Sequence, residues 1–321
     1  MLSRVAEKMY WYGRYFERAE NTARLMRVYT NVLLDMPGGV KHIWEDLIKI
    51  TGSSHLFYEK FKQGNERSVI KFMLTDRTNP ASLLCSVSAA RENARTTREI
   101  IPAEAWEKIN EFFLYVRNNS DAALKQNTRH RFLSDVINQC YQMTGLLFGN
   151  MSHGNAYHFI RMGRNLERAD MTTRILDVGC INLLQEQINI PDAYDNILWM
   201  NVLKSLGAYQ MYRQHVKDRV NGEAVVDYLI KDNQFPRSVR HCLIELENCF
   251  TKISGHEQPL REVIQTQRKV NKVDTAALMQ AGLHKFIDEL QIEFAEIHNA
   301  VGQTWFGYSA GQAQSQQNHT S

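Results

Sequence analysis

Residues 13–25 read GRYFERAENTARL, and residues 163–175 read GRNLERADMTTRI. Seven of the thirteen aligned positions are identical, so both stretches fit G-R-x-[FL]-E-R-A-[ED]-x-T-x-R-[LI] at a spacing of 150 residues. The neighbouring sequence extends the match. Trp44, Lys49 and Gly52 return as Trp199, Lys204 and Gly207. VIKFMLTDRTNPASL (69–83) returns as VVDYLIKDNQFPRSV (225–239), with Val69, Asp76, Pro80 and Ser82 unchanged, and HRFLSDV from His130 returns as HKFIDEL from His284. The blocks are collinear and their offsets drift by only a few residues, as loop insertions would cause. Self-similarity on this scale points to repeated supersecondary units. The chain reads as two copies of one unit, residues 1–150 and 151–308. A polar tail follows at 309–321, too poor in apolar residues to fold alone and expected to be disordered.

The unit is expected to be helical. The 321 residues contain only 17 Gly and 6 Pro, below the average usage of about 7% and 5%. No alternating β-branched run competes as a strand. The pattern predicts helices over about 4–35 and 154–188, 40–62 and 193–217, 67–75 and 223–231, 80–100 and 236–254, 103–125 and 260–280, and 130–149 and 283–305. The prolines pair as Pro37 with Pro191, closing the first helices, Pro80 with Pro236, opening the fourth, and Pro102 with Pro259. The expected fold is all-α, a tandem duplication whose two pseudo-symmetric halves pack into one bundle-like body.

At 100° per residue, Trp11, Tyr12, Tyr15, Phe16, Ala19, Ala23 and Met26 form a core face on the first helix. Arg14, Glu17, Arg18, Glu20 and Arg24 lie opposite. A solvated face laced with i,i+4 ion pairs is the ordinary explanation. Two features argue for partial burial instead. Arg14, Glu17, Arg18 and Arg24 recur as Arg164, Glu167, Arg168 and Arg174 while Arg27 drifts to Asp177, and Tyr10, Leu25 and Val28 sit among the charges. Buried charges need partners. The expectation is that the two first helices cross near a pseudo-twofold axis, with Gly13 and Gly163 allowing close approach and each Glu answering Arg residues of the other copy. The six repeated Arg outnumber Glu17, Glu20, Glu167 and Asp170, and the surplus suits a carboxylate or phosphate. A purely structural network and an anion or partner site both remain open. A second cluster, AARENARTTRE at 89–99, adds Arg91, Glu92, Asn93 and Arg95 as candidate binding residues.

These segments resemble the alpha-E family, an all-helical family named for its Glu-Arg motif and typically built as a tandem duplication. GRYFERAENTAR, GRNLERADMTTR, AARENAR and the FPRSVR segment at 235–240 carry the resemblance, which spans nearly the whole chain. It implies a protein that partners circularly permuted ATP-grasp ligases or transglutaminase-like proteins in a peptide synthesis or modification system. Its motif positions are Glu17-Arg18 and Glu167-Arg168, and no established catalytic role comes with them.

Composition narrows the remaining classes. Net charge is +3 with Lys and Arg interspersed among Asp and Glu, so nucleic acid is not an expected partner. The N-terminus carries charge from Arg4 and lacks an apolar leader, and no apolar run is long enough to span a membrane. Five cysteines (85, 140, 180, 242 and 249) without a C-x-x-C pair fit buried thiols in a reducing compartment, so a cytoplasmic location without metal or cofactor is expected. Phosphate-loop, dinucleotide, nucleophile-elbow and zincin motifs are absent, and no His follows a Glu by three residues. Three readings stand: an accessory or scaffold protein for an ATP-grasp peptide ligase, the leading one; an enzyme acting on a peptide or aminoacyl substrate through Glu17, Glu167 and the Arg cluster; and a purely structural module.

Overall fold

A computed structural model describes residues 1–35, 43–186, 192–217, 219–280 and 282–308. Pro37, Pro191, the Cys180 side chain and the 309–321 tail lie outside the described residues. The fold is all-helical, with no strand among the described residues. The first half comprises α1 (Ser3–Asp35), α2 (Ile43–Ile50), α3 (Ser54–Lys60), α4 (Glu66–Leu74), α5 (Leu83–Arg95), α6 (Ala103–Asn119) and α7 (Gln126–Asn150). The second comprises α8 (Asn155–Glu186), α9 (Asp192–Ser205), α10 (Tyr209–His215), α11 (Gly222–Lys231), α12 (Val239–Phe250), α13 (Glu257–Lys272), α14 (Thr275–Gln280) and α15 (Leu283–Val301). A π-type turn, Gly302–Phe306, closes the described chain and packs on α1.

Each long first helix is the axis of its half. Helix α1 packs on α5 and α7, with α6 closing the layer, and α8 packs on α12 and α15, with α13 in the equivalent place. The halves also interlock, because α2 packs on α8 and α9 packs on α1. Their apolar side chains merge into one cluster. Among the described helices none is long and apolar enough to cross a membrane.

Local chemistry accounts for several residues that recur between the halves. The predicted second helices are each broken in two, at Gly52 and Gly207, which take the left-handed conformation at φ +66° and +64°. The amides of Gly52 and Ser53 bond back to the carbonyls of Lys49 and Ile48, and those of Gly207 and Ala208 to Lys204 and Leu203. This is the Schellman stop, which satisfies carbonyls orphaned at a helix end. Asn65 and Asn221 cap α4 and α11 by accepting from the amides of Ser68 and Ala224, and Ser82 and Ser238 cap α5 and α12 by accepting from Cys85 and His241. Pro80 and Pro236 therefore do not open the fourth helices. They lie in the turn before the serine caps, where Asp76 and Asp232 accept backbone amide bonds at 2.9 Å and 2.6–2.8 Å. Pro102 caps α6, whereas Pro259 is the third residue of α13, so these two are not structural equivalents.

Among the described residues, helices α1 and α8 make the most extensive helix contact, and they meet through backbone. A Cβ placed on Gly13 would stand 2.1 Å from the carbonyl oxygen of Ile160, and one on Gly163 would stand 2.0 Å from that of Tyr10. The obstacle is main chain on both sides and cannot swing away. Alanine in a helix normally gains about 1 kcal/mol over glycine. At the crossing that gain is outweighed by overpacking, typically about 1–3 kcal/mol and more where backbone must shift. Gly13→Ala and Gly163→Ala should each lose at least about 2 kcal/mol in urea denaturation. Gly145→Ala and Gly149→Ala on α7, with nothing within 4 Å, should be neutral or slightly stabilised, and equal behaviour of the two pairs would refute the close crossing.

Candidate functional site

The crossing aligns the charged faces of α1 and α8, burying that of α1 together with Glu167 and leaving Arg164, Arg168, Asp170 and Arg174 partly exposed. Arg14, Glu17, Arg18, Glu20 and Arg24 are 9%, 1%, 5%, 3% and 4% exposed, and Glu167 is 2% exposed. The pairing is reciprocal. Glu167 accepts from Arg14 Nε at 2.7 Å and from Arg18 Nε and Nη2 at 2.6 and 3.0 Å. Glu17 accepts from Arg168 Nε and Nη2 at 3.0 and 2.8 Å. Flanking pairs run along each helix, Arg24 to Glu20 on α1 and Arg174 to Asp170 at 3.0 Å on α8. Arg24 also donates to the Tyr141 hydroxyl at 3.1 Å, which carries the network to the surface of α7.

Arg237, from the segment leading into α12, completes the centre. It donates to Glu17 at 2.5 Å, to Glu20 at 2.6 Å and to Asn21 Oδ1 at 2.8 Å. Its backbone is fixed in turn, because the Thr172 hydroxyl donates to the Arg237 carbonyl at 2.8 Å and Arg168 Nη1 to the Pro236 carbonyl at 3.3 Å. Sequence reasoning placed Arg237 only within the FPRSVR resemblance. The usable signal was the internal alignment, where Arg237 falls opposite Ala81: a charge gained at one position of a repeated cap needs a carboxylate nearby.

Not every candidate reaches the centre. Arg91 donates to Asn110 Oδ1 at 2.7 Å and lies over the Trp106 and Phe113 rings. Arg95 pairs with Glu92 on the exposed side of α5, and Asn93 accepts through its backbone from Thr96 and Thr97. This second cluster is an α5–α6 surface feature with its own partners, because its stripe faces away from the α1–α8 crossing. Arg164 stands in the central stripe with no hydrogen bond or ion pair among the described residues, its Nε buried and unpartnered.

The electrostatics follow from burial and pairing. Burial alone would raise the Glu167 pKa, but Arg18 and Arg14 outweigh it and hold the carboxyl at about 2. Burial opposes ionisation of Glu17 too, and Arg168 and Arg237 overcome it, carrying the group far below the usual carboxylate range. With every oxygen bonded to guanidinium, these groups are permanent anions. Burial lowers the Arg164 pKa, repulsion from Arg168 adds to the effect, and the value falls to about 10. Burial raises the thiol of Cys140 well above its ordinary value and that of Cys242 to about 12, so neither is a ready nucleophile. For a metal, the described residues offer Asp177, His284 and Asp288, with ligand atoms within 4.8 Å of one another at the surface. There His284 Nδ1 meets Asp177 at 2.6 Å and Nε2 meets Asp288 at 3.6 Å, and the Asp177 bond raises the imidazole pKa.

Fold and site together define an all-helical protein whose two halves are clasped by reciprocal Glu-Arg pairs. The chain belongs to the Alpha-E family, described as a predicted alpha-helical domain with a conserved ER motif, whose model matches residues 1–306. It is also similar to three uncharacterized mycobacterial proteins, Mb2597 of Mycobacterium bovis and MT2643 and Rv2567 of Mycobacterium tuberculosis. Each is 22% identical over 315 aligned residues, covering 92% of this chain and 34% of the relative. The chain thus spans about a third of the length of the curated relatives it matches. No solved structure matches it.

Two predictions concern the centre. Removing one partner of a buried pair leaves an uncompensated charge, at about 3–5 kcal/mol. Glu17→Gln and Glu167→Gln should each destabilise by roughly that much in urea denaturation, and losses below about 1 kcal/mol would contradict the buried pairing. The second is pH dependence. Burial, reinforced by Arg14, lowers the His298 pKa to about 3, and its Nδ1 lies 2.8 Å from the Tyr10 hydroxyl. Below its ordinary 6.5 the unfolded chain takes up a proton there that the folded chain refuses, so stability falls as pH drops through this window. The lowered Glu pKa values add a second loss starting near the unfolded glutamate value of about 4.3. Thermal midpoints between pH 7 and 5 should decline in the wild type and flatten in His298→Gln.

Proposed function

We propose that the protein is an accessory or scaffold subunit of a peptide synthesis or modification system, docking on an ATP-grasp-type peptide ligase. One observation carries this reading. The two Glu carboxylates are 1% and 2% exposed with every oxygen bonded to guanidinium, which leaves no face for a substrate and no basicity for proton transfer. The Glu-Arg centre then acts as a clasp, and work on other molecules falls to the surface. Two further features support docking. The curated relatives match this helical body over only 34% of their length, so there the same body is joined to further chain. Helix α7 presents Tyr141 and Phe148, 51% and 67% exposed and seven residues apart, as an apolar strip on one helical face.

Co-expression with the ligase tests the reading. A stable complex is expected, with the amount or length of ligase product altered when this protein is omitted. Phe148→Glu should weaken the complex at least tenfold without changing the melting midpoint. Absence of a complex together with an unchanged product would leave a purely structural module. Turnover of a peptide by the isolated protein, lost in Glu167→Gln with the fold intact, would favour the enzyme instead.

A further inference from the structure

Arg164 holds in the second Glu-Arg segment the place of Arg14 in the first, yet the two are partnered differently. Arg14 is buried and donates to Glu167 at 2.7 Å. Arg164 bonds to nothing among the described residues, has a buried and unsatisfied Nε, and remains partly exposed to solvent. The difference traces to Arg237. The first half has Ala81 at that position, so Glu167 is left to Arg14 and Arg18. In the second half Arg237 and Arg168 together fill both oxygens of Glu17, the carboxylate that would otherwise answer Arg164. Other acids nearby are also engaged, since Glu245 pairs with Arg161 one turn before Arg164, and Glu20 with Arg24 and Arg237. An unpaired guanidinium so placed is a standing cost that a partner from outside would relieve.

We propose that Arg164 receives a carboxylate from outside the chain, the free C-terminus of a peptide. The group missing beside Arg164 is the one present beside its counterpart, and beside Arg14 that group is a carboxylate. A guanidinium fork matches the two oxygens of such a group, and Arg164, unlike Arg14, Arg18 and Arg24, is open enough to be reached. That the carboxylate belongs to a peptide rests on the peptide-system reading above; the site itself does not.

The test titrates the full chain with N-acetyl-trialanine, its C-terminal amide, N-acetyl-glutamate α-amide and orthophosphate, following binding by calorimetry and the Arg Nε–H resonances by NMR. The free-acid peptide should bind and shift the Arg164 Nε–H signal, and the amide should not. Arg164→Gln should weaken binding at least tenfold while melting at or above the wild type, because it removes a largely buried guanidinium that makes no hydrogen bond among the described residues. Arg237→Ala frees Glu17 for Arg164 and should weaken binding as well; where that variant does not fold, Arg164→Gln decides alone. Equal binding by the Arg164→Gln variant, equal binding of the amide, or a melting midpoint lowered by several degrees in Arg164→Gln would overturn the site. Preference for the side-chain carboxylate or for orthophosphate would overturn the assignment to a peptide C-terminus. Absence of tripeptide binding by the wild type, with an intact ligase complex, would strike this site alone and leave the docking reading standing.

Discussion

The structure depends on two glycines lying against each other's helix backbones. With no Cβ at Gly13 or Gly163, α1 and α8 approach until the main chain of one touches that of the other. Side chains one turn further along are then forced across the seam. Arg14, Glu17 and Arg18 meet Glu167 and Arg168 where the carboxylates are shut off from water and must be paired, while Arg164 stands at the partly exposed edge of the seam. The close contact makes the ion pairs obligatory, and the pairs hold the contact in register. A shift of α8 by one turn would set carboxylate against carboxylate or guanidinium against guanidinium. Net stability is the wrong measure of such pairs, since well-packed apolar side chains often do as well. Their contribution is to make one crossing far better than its neighbours.

The clasp also explains why the halves are one body. Glu17 and Glu167 are each answered from the opposite half, and α2 and α9 each bridge both axis helices. A half taken alone would expose a helix face carrying buried-type charges without partners. The exchange is not perfectly symmetric. Arg237 opposite Ala81 gives seven guanidinium groups to four carboxylates at the centre, and the imbalance falls on one residue because hydrogen-bonding capacity, unlike a diffuse field, is filled group by group. Two oxygens of Glu17 already hold three donors, so Arg164 is the one excluded.

Much of this was legible in the sequence because the chain states its key segment twice. Arg27 stands opposite Asp177 in the two matching segments, whereas Arg14, Glu17, Arg18 and Arg24 recur, which pointed to a shared constraint, and the Gly before each motif suggested where helices could touch. The reciprocal pairing follows from those two facts. Charge pattern alone could not say how deeply the face is buried, because periodicity reports which residues share a side and not what covers it. The helix breaks at Gly52 and Gly207 were hidden because apolar spacing continues across them, although both glycines stood in the alignment. Arg91 and Arg95 resembled the central arginines in composition and differed only in which way their stripe faces, a matter settled by how α5 lies between α1 and α6.

The depth of the centre bears on what kind of protein this can be. A general base must exchange protons near working pH and be reachable by substrate, and Glu17 and Glu167 meet neither condition. Making Glu17 basic would require withdrawing both Arg168 and Arg237. Arg168 is anchored to the Pro236 carbonyl and Arg237 to Glu20 and Asn21, so neither can leave without unpicking the cap of α12 and the α1–α8 seam together. The motion that would activate the carboxylate is therefore the motion that separates the halves. A centre built this way holds helices in place, and its network comes to the surface at Arg164, which has no hydrogen bond among the described residues, and at Tyr141, which touches it from outside.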